Sequence, residues 1–219
     1  MKNLITTLLM CSAAAISLYA AAPAAINETF DTVDVCIPAV NEKVPVVFLA
    51  HNGGSSKEAW GDFPGELSAK GYAVVNMGWT NFQGGNDFRR DIQTVMDKYS
   101  KRINFERVAF IGGCHGGVKM LSILDAKLPL NPKAIVLLSM SEVVTPPQNH
   151  VPILGVYSTH DHLGANYVSI QKNVYSNIIT EPKKIIVMDM TQHGNELVTD
   201  PETKGRIRAE IETWLKDLL

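Results

Sequence analysis

The sequence predicts an α/β protein, a doubly wound and mostly parallel sheet flanked by helices, on three observations. Apolar runs of strand length alternate with segments of helical periodicity along 219 residues. Glycine-rich loops separate many of them, and neither internal repeats nor low-complexity tracts interrupt the alternation. One run, Val108-Ala109-Phe110-Ile111, passes through Gly112-Gly113-Cys114-His115-Gly116-Gly117 into a helix-like segment, Val118–Leu128, which is how a strand that turns sharply into a helix reads. With 46% hydrophobic and 19% charged residues there is material for one core, so residues 25–219 are expected to form a single domain. A net charge of −2 gives no nucleic-acid footprint.

In chain order, Met1–Ala24 reads as a leader for export to the periplasm or medium. Lys2 supplies a short positive start, Leu4–Leu18 an apolar stretch, and Tyr19–Ala24 small-residue cleavage sites. That Ala-rich end favours removal over a retained membrane anchor. Cys11 is a poor lipidation site, because Met10 precedes it and little apolar sequence comes before. Thr32–Val40 is strand-like, and Val44–Ala50 is an apolar strand with Pro45 tolerated near its start. The glycine loop His51–Ser56 follows, then a helix near Glu66–Lys70 that Gly71 stops, then the strand Tyr72–Met77. After a loop over 78–86, Asp87 is an N-cap candidate for a helix to Lys101 whose inner face carries Phe88, Ile92, Val95, Met96 and Tyr99. Ala134–Ser139, Ile153–Tyr157 and Ile185–Met188 are further buried-type strands, and Pro201–Leu219 is an amphipathic helix with Ile207, Ile211, Trp214, Leu215 and Leu218 inward. No gap has room for a lid domain, so an open cleft is expected.

Sheets of this kind bind ligands beyond the C-terminal ends of their strands, and three such ends carry reactive groups. Gly-x-Cys-x-Gly sets Cys114 on the turn, where glycines leave room for a strained backbone and the following helix's N-terminus favours a thiolate. Ile153–Tyr157 runs into Ser158-Thr159-His160-Asp161-His162, and Ile185–Met188 runs into Asp189-Met190-Thr191-Gln192-His193. Cys114, Asp161 and His193 thus occur in the order nucleophile, acid, histidine. Asp189 is the alternative acid, less well placed because it shares the histidine's own loop.

The elbow, the Asp161 turn, the His193 loop and their order resemble the dienelactone hydrolase family of α/β-hydrolases over essentially the whole mature chain. That resemblance implies the α/β-hydrolase fold, a cysteine nucleophile and a Cys114-His193-Asp161 triad acting on small esters, lactones or thioesters through an acyl-enzyme, with no cofactor and no metal. Two positions depart from the family. Its archetypes carry an acidic residue in the loop after the strand corresponding to Val44–Ala50, where this chain has His51-Asn52. They also carry an arginine shortly after the histidine, where this chain has Gly194-Asn195-Glu196-Leu197. The chemistry therefore carries over better than the substrate.

The His115 amide and an amide of Asn52 or Gly53 are the expected oxyanion donors. Trp79, with Phe82 and Trp60, is a candidate wall for a small-molecule substrate, or else packs loops onto the sheet. Arg89 and Arg90 lie near the same edge and read as a solvated helix face or an anion contact. His160 and His162 share one face of an extended segment but lack further ligands, so no metal is assigned. Cys36 and Cys114 are expected to stay unpaired, Cys36 as a small buried hydrophobe. Two other classes fit the same residues: a binding or thiol-reactive protein without turnover, and an acyltransferase.

Overall fold

A computed structural model of the chain describes residues 24–30, 32–79, 88–124, 130–142 and 151–219. The expected leader up to residue 23, Phe82, the Asp87 cap and the far end of the helix after the elbow lie outside the described residues. Strands β1 (Ile26–Phe30), β2 (Val33–Ile37), β3 (Val44–Ala50), β4 (Ala73–Met77), β5 (Ile103–Gly113), β6 (Ala134–Leu138), β7 (Ile153–Ser158) and β8 (Lys183–Met188) form one sheet. Its order is β1-β2-β4-β3-β5-β6-β7-β8. β1 and β2 join antiparallel, and every pair from β4 to β8 is parallel. Helices α1 (Phe63–Ala69), α2 (Phe88–Tyr99), α3 (His115–Leu124), α4 (Ala165–Ser176), α5 (Glu196–Thr199) and α6 (Lys204–Leu218) cover the two faces. Among the described residues no helix is long and apolar enough to cross a membrane.

The strand period of two decides which helices go where. On β3, Val46, Phe48 and Ala50 face a layer that includes Ile92 and Val95 of α2 and Met120 of α3. Val47 and Leu49 face the other layer, filled by Phe63 and Leu67 of α1, Leu197 of α5, and Ile207, Ile211 and Leu215 of α6. A third cluster seats α3 and α4 on β6 and β7 through Leu121, Val174 and Tyr175. Buried on both sides, the central strands are mostly apolar where they cross the core, which is why the sequence shows them as near-continuous runs. β1 is different. Its residues alternate between half-buried and exposed at the sheet edge, and the mixed composition Ile26-Asn27-Glu28-Thr29-Phe30 carries a weak signal.

The expected turn at Cys114 has a specific cause in packing. β5 ends at Gly113, α3 starts at His115, and Cys114 between them has φ 51, a left-handed backbone that a residue with a side chain rarely adopts. Its amide donates to Leu138 O at 2.7 Å, anchoring the turn on the neighbouring strand β6. α3 then passes so close to β3 and β5 that side chains at the flanking positions have no space. A Cβ on Gly112 would stand 2.4 Å from Gly117 Cα, and one on Gly116 would stand 2.2 Å from Ala50 O. Both obstacles are backbone, so neither can swing away. Gly116→Ala is expected to cost about 3 kcal/mol by overpacking, read as a lowered urea midpoint; an unchanged midpoint would show that the helix can shift at no cost.

Candidate active site

Three loops at the C-terminal edge of the sheet meet around Cys114. The thiol residue is 8% exposed, Asp161 4% and His193 3%, so the group is largely shielded from water. Asp161, just past β7, accepts the Nδ1–H of His193 at 2.5 Å and the Leu163 amide at 2.9 Å. Gln171 of α4, fully buried, donates to the same Oδ2 at 2.8 Å. With Nδ1 engaged by the carboxylate, the Nε2 of His193 is the nitrogen left for chemistry. It is buried and makes no hydrogen bond among the described residues.

Cys114 and His193 are coupled, each shifting the other's protonation. Burial pushes the thiol up, but His193, the Ser141 hydroxyl and the His115 amide more than offset it, and the thiol titrates below its ordinary value of 9.0. Burial pulls His193 down, yet Asp161 and Cys114 outweigh it and raise the imidazole to about 9. Burial likewise raises Asp161, and the three donors bring it below 3.8. Favourable contacts outweigh desolvation in each case, and the state they favour is thiolate, imidazolium and carboxylate.

Tyr167 stands edge-on to the His193 ring at 5.7 Å, and His162 does so at 6.1 Å. His162 lies 3.3 Å from a Glu196 oxygen, and that same oxygen accepts the His193 amide at 2.9 Å. His160 lies 3.0 Å from Asp189 instead, so the two imidazoles flanking Asp161 engage different acids. Among the described residues no three potential metal ligands converge. Asp189, the alternative acid, is 89% exposed at its side chain and accepts from Thr159, whereas the His193 ring is engaged by Asp161.

Several expectations are corrected by the packing. The Asn52 amide is not open as an oxyanion donor, because it donates to Asn195 Oδ1 at 2.9 Å, which leaves Gly53 of the two amides considered. Trp79 is 5% exposed, stacked on His51 at 5.1 Å and tilted against His115 at 5.5 Å. It lines a cleft of about 350 Å³ with His51, Ser55, Lys57 and Gly78, to which neither Cys114 nor His193 contributes. Trp79 thus packs against two histidine rings. Trp60 is fully buried in the core near Phe63. Arg90 is mostly exposed and pairs with its neighbour Asp91. Cys36 is half-buried, and its thiol donates to Asn27 Oδ1 at 2.9 Å, so it is no plain hydrophobe; it and Cys114 are both free.

Ser141, Gln171 and Asn195 belong to the neighbourhood of the site and had no distinguishing mark in the sequence beyond the first and last lying just past β6 and β8. The His115 ring makes a contact of its own. Its Nδ1 lies 3.2 Å from Glu142, and burial holds its ring below the ordinary imidazole value.

Compared as a sequence, the chain matches no protein-family model and no curated protein. Compared as a structure, it is similar to a dienelactone hydrolase from Anabaena variabilis, with a TM-score of 0.63 and 14% identity over 90% of this chain and 99% of that one. An esterase from a Rhodococcus species aligns with a TM-score of 0.64 and 14% identity over 89% and 98% of the two chains. An α/β hydrolase from a Medee basin deep-sea metagenome library gives 0.64 and 16% over 90% and 98%. These similarities extend along nearly the full length of each neighbour. The chain has the α/β-hydrolase fold.

Proposed function

We propose that this chain is an exported, cofactor-free hydrolase of small carboxylic esters, lactones or thioesters, working through an acyl-enzyme on Cys114. The observation that carries the reading is the left-handed Cys114 turn beside an imidazole whose Nδ1 is held by a buried carboxylate at 2.5 Å. The esterase and the dienelactone hydrolase among the structural neighbours support the substrate class, and the leader-like Met1–Ala24 supports export.

In the proposed cycle the Cys114 thiolate attacks the carbonyl carbon, a C–S bond forms and the carbonyl π electrons move to oxygen. The His115 and Gly53 amides receive that oxyanion, each such donor being worth about 3 kcal/mol of barrier. The His193 imidazolium gives its Nε2 proton to the leaving oxygen or sulfur as that bond breaks, leaving a thioester and a neutral ring. The ring then takes a proton from water as the water attacks the thioester. Release of the carboxylic acid restores thiolate and imidazolium. Asp161 holds the ring and its charge throughout without taking a proton.

Cys114→Ala and His193→Ala are each expected to lower hydrolysis of a p-nitrophenyl ester at least about a thousand-fold. Variants that keep wild-type rates would refute the assignment, and thiol labelling without repeated turnover would favour a binding or thiol-reactive protein. The pH dependence has a definite sign. Acylation needs the thiolate and the imidazolium together, so kcat/KM is expected to rise as the thiol ionises below 9.0 and to fall as His193 deprotonates at about 9. Asp161→Asn removes a group that raises the imidazole, so its alkaline limb moves toward lower pH; a limb that stays in place would contradict the role given to Asp161.

A further inference from the structure

The loops that follow β3 and β8 are joined by a closed pair of hydrogen bonds that the chemistry above does not use. The Asn52 amide donates to Asn195 Oδ1 at 2.9 Å, and the Asn195 amide donates to Asn52 Oδ1 at 3.0 Å. Asn52 Nδ2 also donates to the His193 carbonyl at 3.4 Å. Each side chain thus satisfies the other residue's backbone, and Asn195 is only 2% exposed. The pair sits in space that two neighbouring residues leave empty. A Cβ on Gly113, the residue before Cys114, would stand 2.4 Å from Asn195 Oδ1 and from Asn52 Oδ1, and one on Gly194 would stand 2.1 Å from Asn52 Oδ1.

We infer that the Asn52–Asn195 pair is a positioning latch that holds the histidine loop and the glycine loop in register with the Cys114 turn. This rests on the hydrolase reading above. Three loops distant in sequence must agree to within a fraction of an ångström for Nε2 and the Gly53 amide to serve one carbonyl group. The latch touches all three. It fixes the residue next to Gly53, the two residues after His193 and the backbone just before the thiol. Neither asparagine side chain is assigned a contact with substrate or a place in proton transfer, so the two act through the groups they hold. Asn195 Nδ2 is buried without a partner among the described residues, so the acceptor oxygen is the part of that side chain in use.

The test is a double-mutant cycle on the full chain with Asn52→Ala, Asn195→Ala and both together. It reads hydrolysis of p-nitrophenyl acetate and the pH midpoint of Cys114 alkylation by iodoacetamide. Each single change is expected to lower kcat about 10- to 100-fold with KM within about 3-fold, and to raise the alkylation midpoint, because His193 is no longer held against the thiol. The double variant is expected to be no worse than the deeper single, since the two side chains form one device. Wild-type kcat and midpoint in both singles, or losses that multiply in the double, would overturn the latch. Two nearly isosteric changes cover a failure of the alanine variants to fold. Asn195→Asp keeps an acceptor and Asn195→Leu does not, so Asn195→Leu should fall at least about 10-fold below Asn195→Asp; equal activities overturn the inference. A wild-type chain that neither turns over the ester nor alkylates below the ordinary thiol range would instead mark the failure of the hydrolase reading itself.

Discussion

The left-handed backbone at Cys114 is the constraint on which the rest of the site depends. A residue with a Cβ held at positive φ costs on the order of 1 kcal/mol or more, and it persists only where the surroundings leave no alternative. Here the surroundings are the Leu138 carbonyl that fixes the Cys114 amide and the bare backbones at Gly112 and Gly116 that admit α3. The same geometry puts the thiol above the sheet edge and the His115 amide beside it. Ser139, at the end of the adjacent strand, is the other described non-glycine residue with positive φ. Two strained strand ends, linked through Leu138 and its successor, therefore frame the site.

Around that turn the electrostatics run against simple burial. Enclosing a thiol, an imidazole and a carboxylate together should discharge all three, because a medium with little water penalises each ion. The opposite outcome follows from mutual pairing: Asp161 receives three donors, His193 lies between two acids, and the thiol is offered an imidazole, a hydroxyl and an amide. Such a set is costly to break singly, since any lost member leaves a buried charge without its partner. Gln171 belongs to that set through its bond to Asp161.

Much of this was legible in the sequence for physical reasons that are easy to name. Strands buried on both faces are mostly apolar, so β3, β4, β6 and β7 stand out, and the parallel α/β class follows from their alternation with helices. Gly112, Gly116 and Gly117 mark the turn because close backbone approach is written in glycine. The Cys114, Asp161, His193 set lies past strand ends, the edge of the sheet where chemistry is sought in this class of fold. What stayed hidden depends on packing between distant segments. Gln171 looks like any polar helix residue until α4 is laid on the sheet, and Asn195 looks like a loop asparagine until the β3 loop is beside it. Trp79 shows the converse: an aromatic in an active-edge loop suggests a substrate wall, yet two histidine rings claim it.

The central claim is that Cys114 becomes covalently acylated on the way to turnover. Rapid acid quenching of the enzyme mixed with excess activated ester, followed by intact-mass measurement and peptide mapping, tests it most directly. The account predicts a transient mass increase equal to one acyl group, located on the Cys114 peptide and absent after Cys114→Ala. Steady turnover with no adduct, or an adduct on any other residue, would contradict it.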